Sequence, residues 1–214
     1  MFKDRADAGR QLAEALEIYK EQYPLILAIV RGGVEVGYEV ARHLGADFSI
    51  LVTRKLPFPD NPEAGFGAIA EDGSRYINRE AAAWLSGATI REVTEQQKAE
   101  LKRRVEVLRG GEPLPPMEGR TVILIDDGIA MGSTMRASIT LCRNQKAGRI
   151  IVGAPVAGLD MAKQVARFAD EIVILSCPRN FYAVAQVYEN WYDVGDEEVI
   201  QILHRWKSEH ARAK

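Results

Sequence analysis

The sequence is poor in the residue types that build disulfide frameworks and transition-metal centres. Only two of its 214 residues are cysteines, Cys142 and Cys177, and they lack a Cys-x-x-Cys spacing. We expect free thiols in a reducing compartment. The three histidines, His43, His204 and His210, show no ligand spacing with cysteine or with one another, so no transition-metal site is predicted.

Long apolar runs are also missing. No run approaches the length that crosses a bilayer, and the N-terminus opens with charged residues instead of an apolar signal segment. We therefore expect a cytoplasmic protein with no membrane contact.

Neither sign of charge dominates. Lysine and arginine number 28 against 30 aspartates and glutamates, a formal net charge of −2. No basic surface for nucleic acid is expected, so an anion site must be built locally. The length suits one domain with a full core and small accessory pieces.

Five short runs rich in Ile, Val and Leu stand out, and their apolar residues follow one another without alternating with polar ones. They are Leu25–Val30, Phe48–Thr53, Thr121–Ile125, Arg149–Ala154 and Glu171–Ser176. This pattern is typical of parallel strands buried on both faces. Between them lie helical patterns, at Val34–Leu44 before Gly45, at Ser133–Asn144 and at Leu159–Ala169. The alternation predicts a doubly wound α/β sheet, with ligands bound beyond the carboxyl ends of its strands.

The stretch 57–119 does not follow this alternation. Its first part, 57–67, holds three prolines and two glycines, which predicts an exposed mobile loop without regular structure. A helical insertion is expected after it, with Asn78 capping a short helix that ends near Gly87. Thr94-Glu-Gln-Gln97 has capping-box form and predicts the start of an amphipathic helix to Leu108.

The C-terminal stretch 178–214 is rich in aromatic residues and shows no sixth strand–helix unit. It is expected to form a hood over the ligand edge of the sheet. Four of its side chains are candidates to stack on a planar acceptor, although packing is the more common role for any single one of them. These are Phe181, Tyr182, Trp191 and Tyr192.

The segment Val122–Thr134 carries the clearest chemistry. Apolar residues lead to two adjacent carboxylates, Asp126 and Asp127, and then to a glycine-containing turn and a helix start. Backbone N–H groups at a helix N-terminus bind anions, and glycine allows a phosphate to approach closely. Carboxylates accept hydrogen bonds from vicinal hydroxyls and help to hold a divalent cation, usually through water. A diol beside a phosphate indicates ribose 5-phosphate, whereas the alternative is an acidic strand–turn–helix without a ligand.

This segment resembles the phosphoribosyl diphosphate signature of type I phosphoribosyltransferases, in which two acidic residues precede a small polar turn ending in Gly-x-Thr. The resemblance implies that Asp126 and Asp127 bind the ribose hydroxyls. The implied 5-phosphate loop consists of Gly128, Ile129, Ala130, Met131, Gly132, Ser133 and Thr134. Many members carry Thr or Ser where Met131 stands, so one hydroxyl contact is missing here.

Two further segments match the same family. Ala28-Ile-Val-Arg31-Gly-Gly33 corresponds to the diphosphate loop, whose peptide is often cis in members, and implies that Arg31, Gly32 and Gly33 bind diphosphate. Arg54 and Lys55 stand where adenine-type members carry Arg-Lys before a mobile loop, and imply further diphosphate contacts. The pattern Arg54-Lys-Leu-Pro…Asn61-Pro-Glu…Gly67-Ala, together with Phe2-x-Asp-Arg-x-x-Ala-Gly9, resembles a subgroup of predicted phosphoribosyltransferases with unassigned acceptors.

The resemblance implies a catalytic function. A Mg²⁺-dependent homodimer would transfer the ribose 5-phosphate of phosphoribosyl diphosphate to a nitrogen acceptor, with Arg31, Lys55, Asp126 and Asp127 as catalytic residues and the two aspartates holding the metal. Members that use 6-oxopurines have a third acidic residue at the position of Ala130, which argues against that acceptor class. Two alternatives stay open: a regulator that binds the donor without turnover, and a hydrolase or nucleotide-binding module on the same scaffold.

Overall fold

The computed structural model describes residues 1–211 as eight strands and six α-helices, numbered here along the chain. The strands are β1 (Leu25–Ile29), β2 (Asp47–Leu51), β3 (Thr53–Phe58), β4 (Asn61–Ala70), β5 (Arg75–Ile77), β6 (Thr121–Ile125), β7 (Arg149–Val156) and β8 (Glu171–Ser176). The helices are α1 (Arg5–Ala15), α2 (Gly33–Leu44), α3 (Gly87–Arg109), α4 (Ser133–Asn144), α5 (Leu159–Val165) and α6 (Asp196–Ala211).

The main sheet has five parallel strands in the order β2-β1-β6-β7-β8. All five residues of β1 are buried, as expected for a strand covered on both faces. One apolar layer includes Leu12 of α1, Val36 of α2 and Trp206 of α6, and the other includes Ile139 of α4 and Ala162 of α5. The predicted doubly wound α/β sheet is confirmed.

Several element boundaries agree with the sequence patterns. β6, β8 and α4 have the predicted limits, and α2 ends before Gly45, whose φ of 62° is the left-handed conformation that glycine adopts easily. Other limits differ: β1 ends at Ile29 instead of Val30, and β7 continues to Val156 instead of ending at Ala154. The run Phe48–Thr53 is divided between β2 and β3, α5 ends at Val165 instead of Ala169, and α1 was not predicted.

The prediction that residues 57–67 lack regular structure is wrong. Most of them belong to β3 and β4, which pair antiparallel and, with β5, form a second sheet of three strands. The register shifts on both sides of Pro57, on a strand at the edge of this sheet, and Pro62 is the second residue of β4. Edges, strand ends and irregular pairings are the places where proline's missing N–H is tolerated.

The helical insertion exists, but it begins earlier than predicted. α3 starts at Gly87, where the Ser86 hydroxyl accepts a hydrogen bond from Thr89 N at 3.0 Å. Thr94 is not a cap, because its hydroxyl donates to Ile90 O within the helix. Asn78 accepts hydrogen bonds from two backbone N–H groups in a turn region, so the short helix predicted there is absent from the described residues.

Only part of the predicted hood covers the ligand edge. Residues 178–195 include a short 3₁₀ helix, Val184–Val187, that approaches the loop after β6. α6 starts near that edge and continues along the side of the sheet, where Trp206 packs against Tyr38 and Phe48 with ring centroids 6.1 and 5.2 Å apart. Residues 212–214 of the predicted hood lie outside the described residues.

Candidate active site

The site lies at the carboxyl ends of β1 and β6, the neighbouring strands at which the sheet order reverses. From β1 the chain continues to β2 on one side, and from β6 it continues to β7 on the other. Ligands bind at such a switch point because the two following loops separate and leave a crevice. Ala28 pairs with Ile125, so the loops that start at Val30 and Asp126 leave the sheet side by side.

The loop after β6 forms one wall of a cavity of about 180 Å³. Gly132 precedes α4 with a φ of 68°, a conformation that favours glycine. The first N–H groups of α4 have no carbonyl partner within the helix, which makes its N-terminus suited to an anion. Asp126 lines this cavity, and so do all seven residues of the implied phosphate loop: Gly128, Ile129, Ala130, Met131, Gly132, Ser133 and Thr134.

Two residues of this loop, Ile129 and Met131, differ in their exposure to solvent. Ile129 is buried, and its N–H donates to Val156 O at 2.8 Å, which anchors the loop to the end of β7. Met131 is 59% exposed, so its side chain lies at the surface where many family members place a hydroxyl.

The loop after β1 lies directly against the carboxylate pair. The peptide bond between Val30 and Arg31 is cis, in the loop where the family resemblance implied one. A Cβ atom at Gly32 would overlap the Asp127 carboxylate, and one at Gly33 would lie 2.9 Å from Asp126 Cα. Both glycines are therefore required by close approach, since neither has a positive φ. Arg31 is partly exposed, with its Nη1 3.7 Å from Asp196 Oδ1.

The two carboxylates differ in their surroundings. Desolvation raises the pKa of Asp126 well above its usual range, and the adjacent Asp127 charge raises it further. Burial also raises the pKa of Asp127, but Arg5 opposes this shift, because Arg5 Nε lies 2.8 Å from Asp127 Oδ2. Asp127 N donates to Asp126 Oδ1 at 2.9 Å, and Asp127 O accepts from the Tyr188 hydroxyl at 2.7 Å.

The hairpin of β3 and β4 places Arg54 and Lys55 differently. Lys55 lines the cavity beside the phosphate loop and donates a hydrogen bond to Glu63 O. Arg54, one residue earlier, is directed towards α3, where its Nε donates to Gln97 Oε1 at 3.0 Å. Burial lowers the pKa of Arg54, and the nearby Arg104 charge lowers it further. The structure therefore brings Lys55, but not Arg54, to the wall of the phosphate-loop cavity.

The four aromatic residues proposed for the acceptor do not form one cluster. Phe181 packs near Gly158, and Tyr182 is 87% exposed. Trp191 and Tyr192 lie beside Arg5, whose guanidinium carbon is 4.0 Å from the Trp191 ring centre. The Tyr192 hydroxyl donates to Glu35 Oε2 at 2.9 Å. Trp191 and Tyr192 therefore contact Arg5, the ion-pair partner of Asp127, whereas the positions of the other two give no support for a role at the acceptor.

Arg5 and Tyr188 are the site residues that sequence reasoning missed. Arg5 belongs to the segment Phe2-x-Asp-Arg, which resembles the subgroup, but the segment itself indicates no partner for its charge. The ion pair joins positions 122 residues apart. Such a pairing is a property of the tertiary fold and has no local sequence signal.

A preformed metal cluster and a membrane-spanning helix are both absent from the described part of the chain. Within residues 1–211, no group of three or more His, Cys, Asp or Glu side chains is arranged to hold a metal ion. No helix of that part of the chain has the length and apolar character needed to span a membrane. Of the two cysteines, which are both free thiols, Cys142 is buried and Cys177 is exposed.

Comparison with known proteins identifies the family. The family model described as phosphoribosyl transferase domain matches residues 3–190. Two curated relatives from Mycobacterium tuberculosis, in strains CDC 1551 and H37Rv, carry names that assign them to the phosphoribosyl transferases. Each is 40% identical to this chain over 215 residues, covering 100% of the chain and 48% of the relative. The chain thus spans about half the length of the curated relatives it matches.

Among solved structures, the crystal structure of TT1426 from Thermus thermophilus superimposes with a TM-score of 0.82. The two proteins are 35% identical, and the match covers 96% of this chain and 99% of that one. The chain belongs to the phosphoribosyl transferase domain family and has the α/β fold of its type I members.

Proposed function

We propose that the protein transfers the 5-phosphoribosyl group of phosphoribosyl diphosphate to a nitrogen acceptor and releases diphosphate. One observation carries this proposal: the Asp126–Asp127 pair lies between the N-terminus of α4 and the glycine loop of Arg31. A diol-binding group between two anion-binding loops is the arrangement that this donor requires, because its ribose carries a phosphate at one end and a diphosphate at the other.

The donor would occupy three parts of the site. Asp126 and Asp127 accept hydrogen bonds from the ribose hydroxyls. The backbone from Gly128 to Thr134 surrounds the 5-phosphate. The Arg31–Gly33 loop and Lys55 bind the diphosphate, with Lys55 acting as a mobile point charge. A diphosphate contact by Arg54 would require its side chain to leave Gln97.

The residues present fit a bound Mg²⁺. Asp126 lines the cavity and offers carboxylate oxygens, the ligand type that this ion prefers, and Mg²⁺ is usually held by one or two carboxylates together with substrate phosphates. When bound, the ion would supply positive charge to the departing diphosphate. Asp127 is the weaker candidate ligand, since one of its oxygens already pairs with Arg5.

The transfer breaks the bond between ribose C1 and the diphosphate oxygen, and the diphosphate leaves with the electron pair. A bond then forms from the acceptor nitrogen to C1, and the proton that the acceptor nitrogen loses passes to solvent. Positive charge develops on the ribose during this exchange. Arg31 and Lys55 stabilise the leaving diphosphate, while the two carboxylates fix the ribose beside them.

The acceptor class is narrowed by one residue. Ala130 stands where 6-oxopurine-specific members place an acidic residue, and Ala130 has no group that can exchange a proton with a base. We therefore propose adenine-like bases, pyrimidines or other amines as acceptors, in preference to hypoxanthine and guanine.

Diphosphate release from phosphoribosyl diphosphate and Mg²⁺ across a panel of bases and amines tests this function. Release that depends on one acceptor class is the expected result. Donor binding in the micromolar range without turnover for any acceptor would contradict the enzyme and support a donor-binding regulator. Absence of donor binding would contradict both.

Asp127→Asn provides a test of the ribose site. The amide replaces a charged acceptor by a neutral group, so donor binding should weaken by about 1–3 kcal/mol. Asp170→Asn is a matched control, because Asp170 also forms an ion pair, with Arg143. It directly precedes β8 and so lies at the amino ends of the strands, whereas the candidate site lies at their carboxyl ends. Calorimetric titration with phosphoribosyl diphosphate measures both, and equal affinities for Asp127→Asn and the unsubstituted protein would remove the ribose assignment.

A further inference from the structure

Arg5 is a buried cation at the edge of the candidate site. Its side chain is 3% exposed, and its guanidinium makes three kinds of contact. Nε binds Asp127 Oδ2 at 2.8 Å, Nη1 donates to Tyr192 O at 2.9 Å, and the planar face lies 4.0 Å from the centre of the Trp191 ring. These contacts fix the guanidinium in position and plane, since a rigid fork cannot turn without losing all of them.

Asp127 is held from four directions. Arg5 binds its Oδ2, the Tyr188 hydroxyl binds its carbonyl oxygen, its N–H donates to Asp126, and Gly32 packs against its carboxylate. Of these four contacts, the one from Arg5 alone combines a direct hydrogen bond to the carboxylate with an opposite charge. Without it, a buried carboxylate would lack a charged partner, and the contact that selects which of its two oxygens is engaged would be lost.

We propose that Arg5 is a positioning residue for the donor, acting through Asp127. By binding Oδ2 it directs the remaining oxygen, Oδ1, towards the ribose hydroxyls, and it does not itself touch the donor. This inference rests on the function proposed above. A positioning role also accounts for the burial of Arg5, the first residue of α1, against the C-terminal segment. Trp191 and Tyr192 of that segment lie on the side of its guanidinium away from Asp127.

The test compares donor affinity and thermal stability in matched variants. Arg5→Gln should weaken binding of phosphoribosyl diphosphate with Mg²⁺ by about 10- to 150-fold, the range for loss of one hydrogen bond to a charged group. Arg109→Gln is the control, because Arg109 forms another buried ion pair, with Glu71 at 2.8 Å and both side chains 8% exposed. Both variants should lose stability, but only Arg5→Gln should lose donor affinity.

A double-mutant cycle separates positioning from general damage. In the Asp127→Asn background, Arg5→Gln should weaken binding by no more than about twofold, because the group through which it acts has already changed. Arg5→Lys keeps the charge and should recover part of the affinity lost in Arg5→Gln. If Arg5→Gln does not fold, Arg5→Lys and Arg109→Lys carry the same comparison.

The outcomes are distinct. Donor binding equal to that of the unsubstituted protein in Arg5→Gln, or an equally large loss with and without Asp127, would overturn the positioning role and leave the proposed function intact. An unsubstituted protein that binds no donor would overturn the proposed function and this inference with it.

Discussion

At the scale of single residues, a substitution at Gly32 tests whether the site has room for one additional carbon atom. Its φ is not in the left-handed region, so alanine causes no backbone strain, but the added Cβ would overlap the Asp127 carboxylate that Arg5 holds in place. Gly32→Ala should reduce the free energy of unfolding by about 1–3 kcal/mol, as other overpacking substitutions do. Calorimetry should also show weaker donor binding, because the displaced carboxylate belongs to the proposed ribose site.

Gly45→Ala is the control for Gly32→Ala. Gly45 has a φ of 62°, and a Cβ added there would meet no atom within 4 Å, so alanine costs about 1 kcal/mol of backbone strain without steric overlap. Donor affinity should not change in this variant. If Gly32→Ala bound the donor as tightly as Gly45→Ala does, the loop after β1 would not constrain the carboxylates.

The site residues that could be predicted from the sequence lie in continuous segments. Asp126 and the turn that follows it, like Arg31 and its two glycines, combine a strand end, glycine and charge within a few positions, and the structure brings the two segments together. Arg5 could not be predicted in this way, because its partner is remote in the chain. Arg54 and Lys55 are adjacent in sequence, yet they lie on different sides of the hairpin, since side chains alternate along a strand.

At the scale of elements, the prolines led to the wrong prediction of an irregular loop where β3 and β4 form a hairpin. Proline frequency is a good sign of irregular structure, but it carries no information about which strand lies at an edge. Pro57 is on an edge strand at a register shift, a position where the lack of an N–H is tolerated. Pattern analysis gave the correct class for the parallel strands because their burial on both faces leaves a continuous apolar run.

The solvent-facing side of α3 makes a prediction about pH. Two hydrogen bonds from Arg103, with a third from Arg104, lower the pKa of Glu100 from 4.5 to about 2. Because the folded-state pKa is the lower one, this stabilisation is present above about pH 4.5 and is lost as the pH falls towards 2. Solvent screens these surface pairs, so Glu100→Gln should cost only about 0.5–1 kcal/mol at pH 7.

Chemical denaturation of Glu100→Gln between pH 2 and pH 7 measures this effect. The difference from the unsubstituted protein should shrink as the pH falls. Glu95→Gln is the control, since within residues 1–211 Glu95 pairs with Lys98 alone, at 2.7 Å on the same helix. A difference that stayed constant with pH would exclude the arginine contacts as its source.

At the scale of the whole molecule, the N-terminal residues and the C-terminal segment meet beside the site. Phe2 N donates to Val187 O at 2.7 Å, and Phe2 O accepts from Glu189 N at 2.9 Å. The Phe2 ring is buried, with its centroid 5.7 Å from that of Tyr188. Because the Tyr188 hydroxyl donates to Asp127 O, this contact between the two segments supports the proposed donor site from the side opposite its cavity.

Phe2→Ala should therefore affect both stability and binding. Removing a buried phenylalanine ring typically costs about 3–5 kcal/mol, and Phe2→Leu, which retains most of the apolar contact, should cost less. Leu101→Ala on α3 is the control for stability alone, since Leu101 is similarly buried and lies on the inserted helix. For the same loss of unfolding free energy, Phe2→Ala should weaken donor binding more than Leu101→Ala. The reason is that Phe2, unlike Leu101, packs against Tyr188, whose hydroxyl donates to Asp127 O. Equal donor affinities in the two variants would mean that the contact between the two segments stabilises the fold without supporting the site.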